Sequence, residues 1–165
     1  MIQSNYLDFS KRFEQHLSKL SYEEGFKLGL NIFKRMFFDY KAFVNETGWG
    51  NPDVLLDAFT YIESGGKDTK VIEQYQSEVE QVTLDPDDFV DGSCALNACT
   101  AIFNLLAFVR APKDKSLLYE VGISYYDTID FKVQEENERN EEVIANHPLF
   151  IEAKRFLLNE EVRFL

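Results

Sequence analysis

The feature that most constrains the fold is an aromatic-rich amphipathic segment that runs into a glycine corner. Residues 33–50 read FKRMFFDYKAFVNETGWG, and Asn51-Pro52 follow at once. Apolar residues at three-to-four spacing predict a helix, and Gly48 suits its C-terminal cap because glycine adopts a positive φ at little cost. Asn51 as N-cap and Pro52 at the first helical position predict that another helix starts there. We therefore expect a tight helix–helix corner with a positive φ at Gly48 or Gly50.

The same helical period runs through almost all of the 165 residues. One stripe at three-to-four spacing is formed by Tyr6, Phe9, Phe13, Leu17 and Leu20. No run with the alternating period of a β-strand reaches a useful length. The sequence therefore predicts an all-α fold, a single domain over residues 1–165, with about six to eight helices bundled around a central apolar helix at about residues 94–109.

The central helix is the most apolar part of the chain and is expected to bury Leu96, Cys99, Ile102, Phe103 and Leu106. A narrow polar strip runs along it, formed by Ser93, Asn97, Thr100 and Asn104. Asn97 and Asn104 lie two turns apart on one face, so they either line a polar slot or form hydrogen bonds between helices. Upstream, Asp85-Pro86-Asp87-Asp88 has the pattern of a helix start, with carboxylates facing the positive helix end.

Charge is distributed unevenly along the chain, whose formal net charge is −12. Residues 51–92 contain eleven acidic and two basic side chains, a net charge of −9. Such a surface repels a phosphate backbone, so direct nucleic-acid binding is not expected. The N-terminus has no recognisable secretory signal, and no run approaches the length of a membrane span. We therefore expect a soluble cytoplasmic protein that contacts no membrane.

The two cysteines, Cys94 and Cys99, lie five residues apart on the predicted central helix. At this spacing their side chains point apart, so a disulfide between them would break the helix. Buried, reduced thiols are the expected state, as in a cytoplasmic protein. The alternative is a reactive thiol at Cys94, because a helix N-terminus favours the thiolate, although the neighbouring aspartates oppose it.

The sequence contains no legible catalytic, cofactor-binding or metal-binding set. An EF-hand loop that starts at Asp85 or at Asp87 would put Phe89 at a ligand position, so the calcium pattern fails. His16 falls on the polar side of its helix and His147 occupies an N-cap-like position before a proline, and no third zinc ligand accompanies them. We therefore predict no cofactor and no metal, and the sequence leans against an enzyme.

Six residues remain candidates for contact with a ligand or a partner: Trp49, Asp87, Asp88, Asp91, Asn97 and Asn104. Trp49 either covers the helix corner or offers an exposed ring to a ligand. The aspartates either cap a helix or hold an adventitious divalent cation.

Two stretches of the chain resemble a known family. Met36–Asn51, and Asp87–Phe89 followed by Leu96–Ala101, are similar to the YjaG-like family of bacterial proteins, a domain family of unknown function (DUF416). The resemblance covers roughly residues 6–158. It implies an all-α fold with an acidic turn before the central helix and no assigned activity, so no functional residues follow from it. Relatives often have proline where Asp39 stands, so any kink there would need another cause.

Two classes of function remain open. The sequence favours a non-catalytic interaction or structural protein that self-associates as a homodimer through apolar helix faces. Its 15 Phe and 8 Tyr exceed what one small core is expected to enclose, and the surplus is expected around Phe37, Phe38 and Tyr40, or near Phe164-Leu165. The alternative is a small-molecule-binding protein or an enzyme with a site between helices near residues 85–104.

Overall fold

The computed structural model describes residues 2–136 and 146–160, which form helices and no strand. In chain order the helices are α1 (Ile2–Ser18), α2 (Tyr22–Thr47), α3 (Pro52–Glu63), α4 (Thr69–Gln81), α5 (Ser93–Arg110), α6 (Lys115–Glu136) and α7 (Pro148–Leu157). Their apolar faces share one core. The predicted all-α bundle is therefore confirmed.

Several helices begin at side-chain caps. At the start of α2 the Ser21 hydroxyl accepts a hydrogen bond from the Glu24 amide, while the Glu24 carboxylate accepts one from the Ser21 amide, at 3.1 and 3.0 Å. This capping box provides hydrogen-bond partners for two backbone amides that are otherwise unsatisfied at the start of a helix. Asn51 caps α3 ahead of Pro52, and the His147 imidazole caps α7, as the sequence indicated.

The glycine corner between α2 and α3 confirms the predicted backbone conformation at both positions. Gly48 has φ 72° and Gly50 has φ 96°, and the Gly48 amide donates to the Val44 carbonyl at 2.8 Å. The two glycines differ in their surroundings. A Cβ on Gly48 would meet open space, whereas one on Gly50 would lie 2.5 Å from the Tyr40 hydroxyl.

Helix α5 is the centre of the bundle, as predicted, and α2, α3, α4 and α6 pack around it. Cys99, Ile102 and Leu106 are fully buried. The prediction was wrong for Leu96 and Phe103, which are only half-buried. Leu96 and Phe103 lie two turns apart at the edge of the polar strip of α5. The surrounding helices cover α5 least along that edge.

The expectation that no segment approaches a membrane span also needs correction. Helix α5 is 18 residues long with a mean hydropathy of 1.4, enough by length and composition alone to cross a membrane. Half of that stretch is buried inside the bundle, and the core helix of a globular protein has the same composition.

The acidic stretch before α5 is a turn and not the helix start that its sequence suggested. The Asp85 carboxylate accepts a hydrogen bond from the Asp87 amide at 2.9 Å, and the Asp85 carbonyl accepts one from the Asp88 amide at 3.1 Å. Asp85 thus closes a local side-chain turn that competes with helix formation. Helix α5 begins only at Ser93, after Gly92.

Candidate functional site

The corner between α2 and α3 brings together four of the six candidate residues. Its centre is Phe89, whose ring lies 5.0 Å from the ring of Phe43 and 5.6 Å from that of Trp49. Phe89 belongs to the same turn as the exposed Asp87, Asp88 and Asp91. We call the surface formed by Trp49, Phe89, Val90 and these three aspartates the corner surface.

Trp49 both covers the corner and faces solvent. Its ring lies 6.5 Å from that of Phe43, edge to face, as expected of a cover over the corner. The side chain is nevertheless 37 % exposed, and Val90 beside Phe89 is 85 % exposed. The three aspartates do not gather around a cation site, since no group of three or more metal-ligating side chains occurs among the described residues.

The two asparagines of α5 lie away from the corner surface. Asn97 donates a hydrogen bond from Nδ2 to the Thr128 hydroxyl at 3.1 Å, and Thr128 in turn donates to the Ser124 carbonyl at 2.9 Å. Asn97 therefore links α5 to α6, which is the interhelical alternative raised by its sequence position. Asn104 is half-buried on the same strip.

The thiols of α5 are neutral at physiological pH. Burial raises the pKa of Cys94 to about 11, with a further contribution from the Asp39 carboxylate. Burial likewise raises the pKa of Cys99 to about 12. Both values oppose the thiolate that a nucleophile requires, so the geometry favours structural cysteines.

The expected apolar surface is present in part. Phe38 on α2 is 68 % exposed, whereas Tyr40 is fully buried and the prediction for it was wrong. The Tyr40 hydroxyl donates to the Val82 carbonyl at 2.6 Å and accepts from the Asn51 amide at 3.2 Å. Its oxygen is therefore hydrogen-bonded within the chain, and the ring is buried in the core. Phe164-Leu165 lies outside the described residues.

A cavity of about 290 Å³ lies where the sequence predicted no site, between α1, α2 and the end of α7. Its polar lining consists of His16, Glu24, Lys27, Asn31 and Asn159, and its apolar lining consists of Leu20, Leu28 and Phe156. We call it the His16 cavity. Its lining comes from the consecutive helices α1 and α2 and from the end of α7, which is distant in the chain. The position of His16 beside the α1 stripe, four residues before Leu20, was therefore the main sequence signal for it.

His16 is the most unusual group in this cavity. Its Nε2 atom is buried and has no hydrogen-bond partner within the described part of the chain. Burial, assisted by the Lys19 ammonium, lowers the pKa of His16 below its ordinary value, while Glu24 and Glu160 act in the opposite direction. The prediction that His16 lies on the polar side of its helix was incomplete, since the side chain is half-buried.

Comparisons with known proteins identify the family. Residues 12–162 match the model of the family described as "Protein of unknown function (DUF416)". The fold is similar to the crystal structure of a DUF416 family protein from Shewanella baltica OS155, with a TM-score of 0.76 and 19 % identity over 88 % of this chain and 81 % of that chain. No curated protein matches. The chain therefore belongs to the DUF416 family, as its two sequence stretches indicated.

Proposed function

We propose that this member of the DUF416 family is a non-catalytic interaction protein that self-associates through the exposed face of α2 around Phe38. The observation that supports it is the exposure of Phe38, whose ring is 68 % accessible in the middle of a long helix. An exposed aromatic side chain is costly in water, and such side chains are enriched at the centres of protein interfaces. The occupant we propose for this face is a second copy of the chain.

The Phe38 ring stands on a rigid support. Ring contacts run from Phe59 to Phe33 at 5.3 Å, from Phe33 to Phe37 at 6.0 Å, and from Phe37 to Phe38 at 5.9 Å. Phe33 and Phe59 are buried in the core. A ring held by such a series loses little conformational freedom on binding, which favours association.

Three of the charged side chains that flank Phe38 are paired within the chain, and the exposed Lys41, one turn further along α2, is a fourth flanking charge. Lys34 pairs with Glu63 at 3.2 Å, Arg35 with Glu152 at 2.8 Å, and Asp39 with Lys132 at 2.8 Å. Exposed pairs of this kind add little stability, but they leave small net charge beside the ring. Two copies are therefore able to bring this face together without strong repulsion, which the acidic region 51–92 does not permit.

The corner surface is the alternative contact surface within the same proposal. It combines the exposed Val90 with Trp49 and with three exposed aspartates, so it suits a basic partner and not a second copy of itself. Comparison of the Phe38→Ser and Val90→Ser variants distinguishes the α2 face from the corner surface as the site of self-association.

Sedimentation equilibrium from micromolar to near-millimolar concentration tests the proposal. We expect the parent chain to exceed the monomer mass of 19.2 kDa and Phe38→Ser to remain at it. Leu7→Ser on α1 is the matched control, because Leu7 is 65 % exposed and Phe38 68 %. A parent that stays monomeric at low and high salt refutes self-association. Loss of association in Val90→Ser, and not in Phe38→Ser, assigns it to the corner surface.

A further inference from the structure

We propose that the His16 cavity binds a small carboxylate with an apolar body, a role independent of self-association through Phe38. At about 290 Å³ the cavity matches the lower end of the size range of small-molecule sites. Such sites are typically apolar, with a few convergent polar groups that fix the orientation of the ligand. The cavity has both components.

His16, which lines the cavity, has a buried Nε2 atom that still lacks a hydrogen-bond partner among the described residues. Buried polar atoms in folded proteins are nearly always hydrogen-bonded, so one without a partner calls for an explanation. Nε2 of His16 is such an atom within the described part of the chain. Nε2 donates a hydrogen bond in the imidazolium ion and in one of the two neutral tautomers, so it suits a carboxylate oxygen.

The other polar groups of the lining favour an anion over a cation. Lys27 contributes an ammonium group, and Asn31 and Asn159 contribute amides that are able to donate. The one carboxylate of the lining, Glu24, accepts the Ser21 amide at 3.0 Å in the capping box, which uses part of its acceptor capacity. With His16, four side chains of the lining are therefore able to donate to a ligand, against a single carboxylate.

One cationic group just outside the cavity, Lys115, acts in the same direction. Lys115 donates to the carbonyls of Leu17 and Ser18 at 2.8 and 3.3 Å, which fixes its ammonium group at the end of α1 close to Glu24. The Arg35 guanidinium lies 3.5 Å from the centre of the Phe156 ring. This contact holds the ring that, with Leu20 and Leu28, would receive the apolar body of the ligand.

Three probes of nearly equal shape test the chemical class: isovalerate, its neutral amide isovaleramide, and the amine isopentylamine. Each is titrated into the isotope-labelled full chain while amide and imidazole NMR signals are followed. We expect isovalerate to shift signals of His16, Asn31 and Asn159 and to bind more tightly than the amide or the amine.

The pKa of His16 gives a readout that binding elsewhere would not move. A carboxylate beside the imidazole stabilises its protonated form, so saturating isovalerate should raise the pKa of His16, against the effects of burial and Lys19. Glu24, Glu160 and Lys27 are present in both titrations. Isovaleramide should leave the pKa of His16 nearly unchanged.

Two asparagine variants supply the matched comparison. Asn31→Asp places a negative charge in the cavity and should weaken isovalerate binding about tenfold or more. Asn104→Asp makes the same change on a half-buried asparagine of α5 and should leave binding unchanged.

Three results would overturn the proposal. The first is equal binding of the carboxylate and its amide, and the second is preferential binding of the amine. The third is a crystal structure grown in saturating isovalerate in which Nε2 of His16 contacts only an ordered water. None of these depends on the folding of a variant or on the oligomeric state.

Discussion

The two ends of helix α2 differ in how their structure arises. At the C-terminal end, the corner is built from neighbouring residues, with Gly48, Trp49, Gly50 and Asn51 acting in sequence. At the N-terminal end, the His16 cavity combines Glu24, Lys27 and Asn31 of α2 with side chains from two other helices. The comparison teaches that backbone geometry is encoded locally, whereas a site made of converging side chains depends on how distant helices pack.

Gly50→Ala gives the largest effect we expect and sharpens the description of the corner. The substitution adds left-handed strain at φ 96° and a Cβ 2.5 Å from the Tyr40 hydroxyl, which hydrogen bonds hold in place. Together these should lower the free energy of unfolding by about 3 kcal/mol. Gly48→Ala, with strain but open space, should cost about 1 kcal/mol. Urea unfolding of both variants measures the difference, and equal midpoints would contradict it.

Tyr40→Phe should have the next largest effect. It removes the hydroxyl that is hydrogen-bonded to the Val82 carbonyl and to the Asn51 amide. Two backbone groups beneath the corner therefore lose their hydrogen-bond partner. We expect a loss of about 2 kcal/mol. Tyr61→Phe is the control, since its hydroxyl meets the amide of Asp68 at an exposed position, and it should cost about 0.5 kcal/mol. Similar losses for the two variants would show that the Tyr40 hydroxyl is not structural.

At the other end of α2, Ser21→Ala should lower the free energy of unfolding by about 1 kcal/mol, because the Glu24 amide loses its cap. Ser64→Ala removes a hydroxyl that bonds an exposed carbonyl and should change stability by about 0.3 kcal/mol or less. Thermal or urea unfolding decides between them. An unaffected Ser21→Ala variant would mean that the capping box contributes nothing to this end of the helix.

The smallest effect is the pH dependence contributed by His16. Burial lowers its pKa in the folded state, so below the ordinary histidine pKa the unfolded chain binds more protons than the folded one. The stability of the parent should therefore fall with acidification more steeply than that of His16→Asn, until the pH passes the lowered pKa. Urea unfolding of both proteins at a series of pH values between neutral and mildly acidic tests this. Parallel curves would contradict it.

The parts of the fold predicted from sequence are those with local causes. Capping at Asn51 and His147 follows from a few adjacent residues, and so does the positive φ at Gly48 and Gly50. The central position of α5 follows from its composition, which is the most apolar of the chain apart from one narrow polar strip.

The errors come from tertiary packing. Asp85 closes a local turn, and Phe89 of the same turn packs on Phe43 and Trp49, a contact that no local rule weighs against a helix start. Tyr40 was predicted at the surface because Val82, whose carbonyl accepts a hydrogen bond from its hydroxyl, lies far from it in the chain. The His16 cavity escaped prediction for the same reason, since Asn31 and Asn159 meet only in the folded chain.

Phe38 lies between the two ends of α2, and its role as a contact between copies is the central claim of the proposed function. The most direct measurement is an isotope-filtered NOE experiment on a mixture of labelled and unlabelled protein at high concentration. We expect NOEs from the Phe38 ring protons of one copy to protons of another, and their disappearance on dilution. Intermolecular NOEs that involve Val90 or Trp49 but not Phe38 would contradict the proposal. The absence of any intermolecular NOE would contradict it as well.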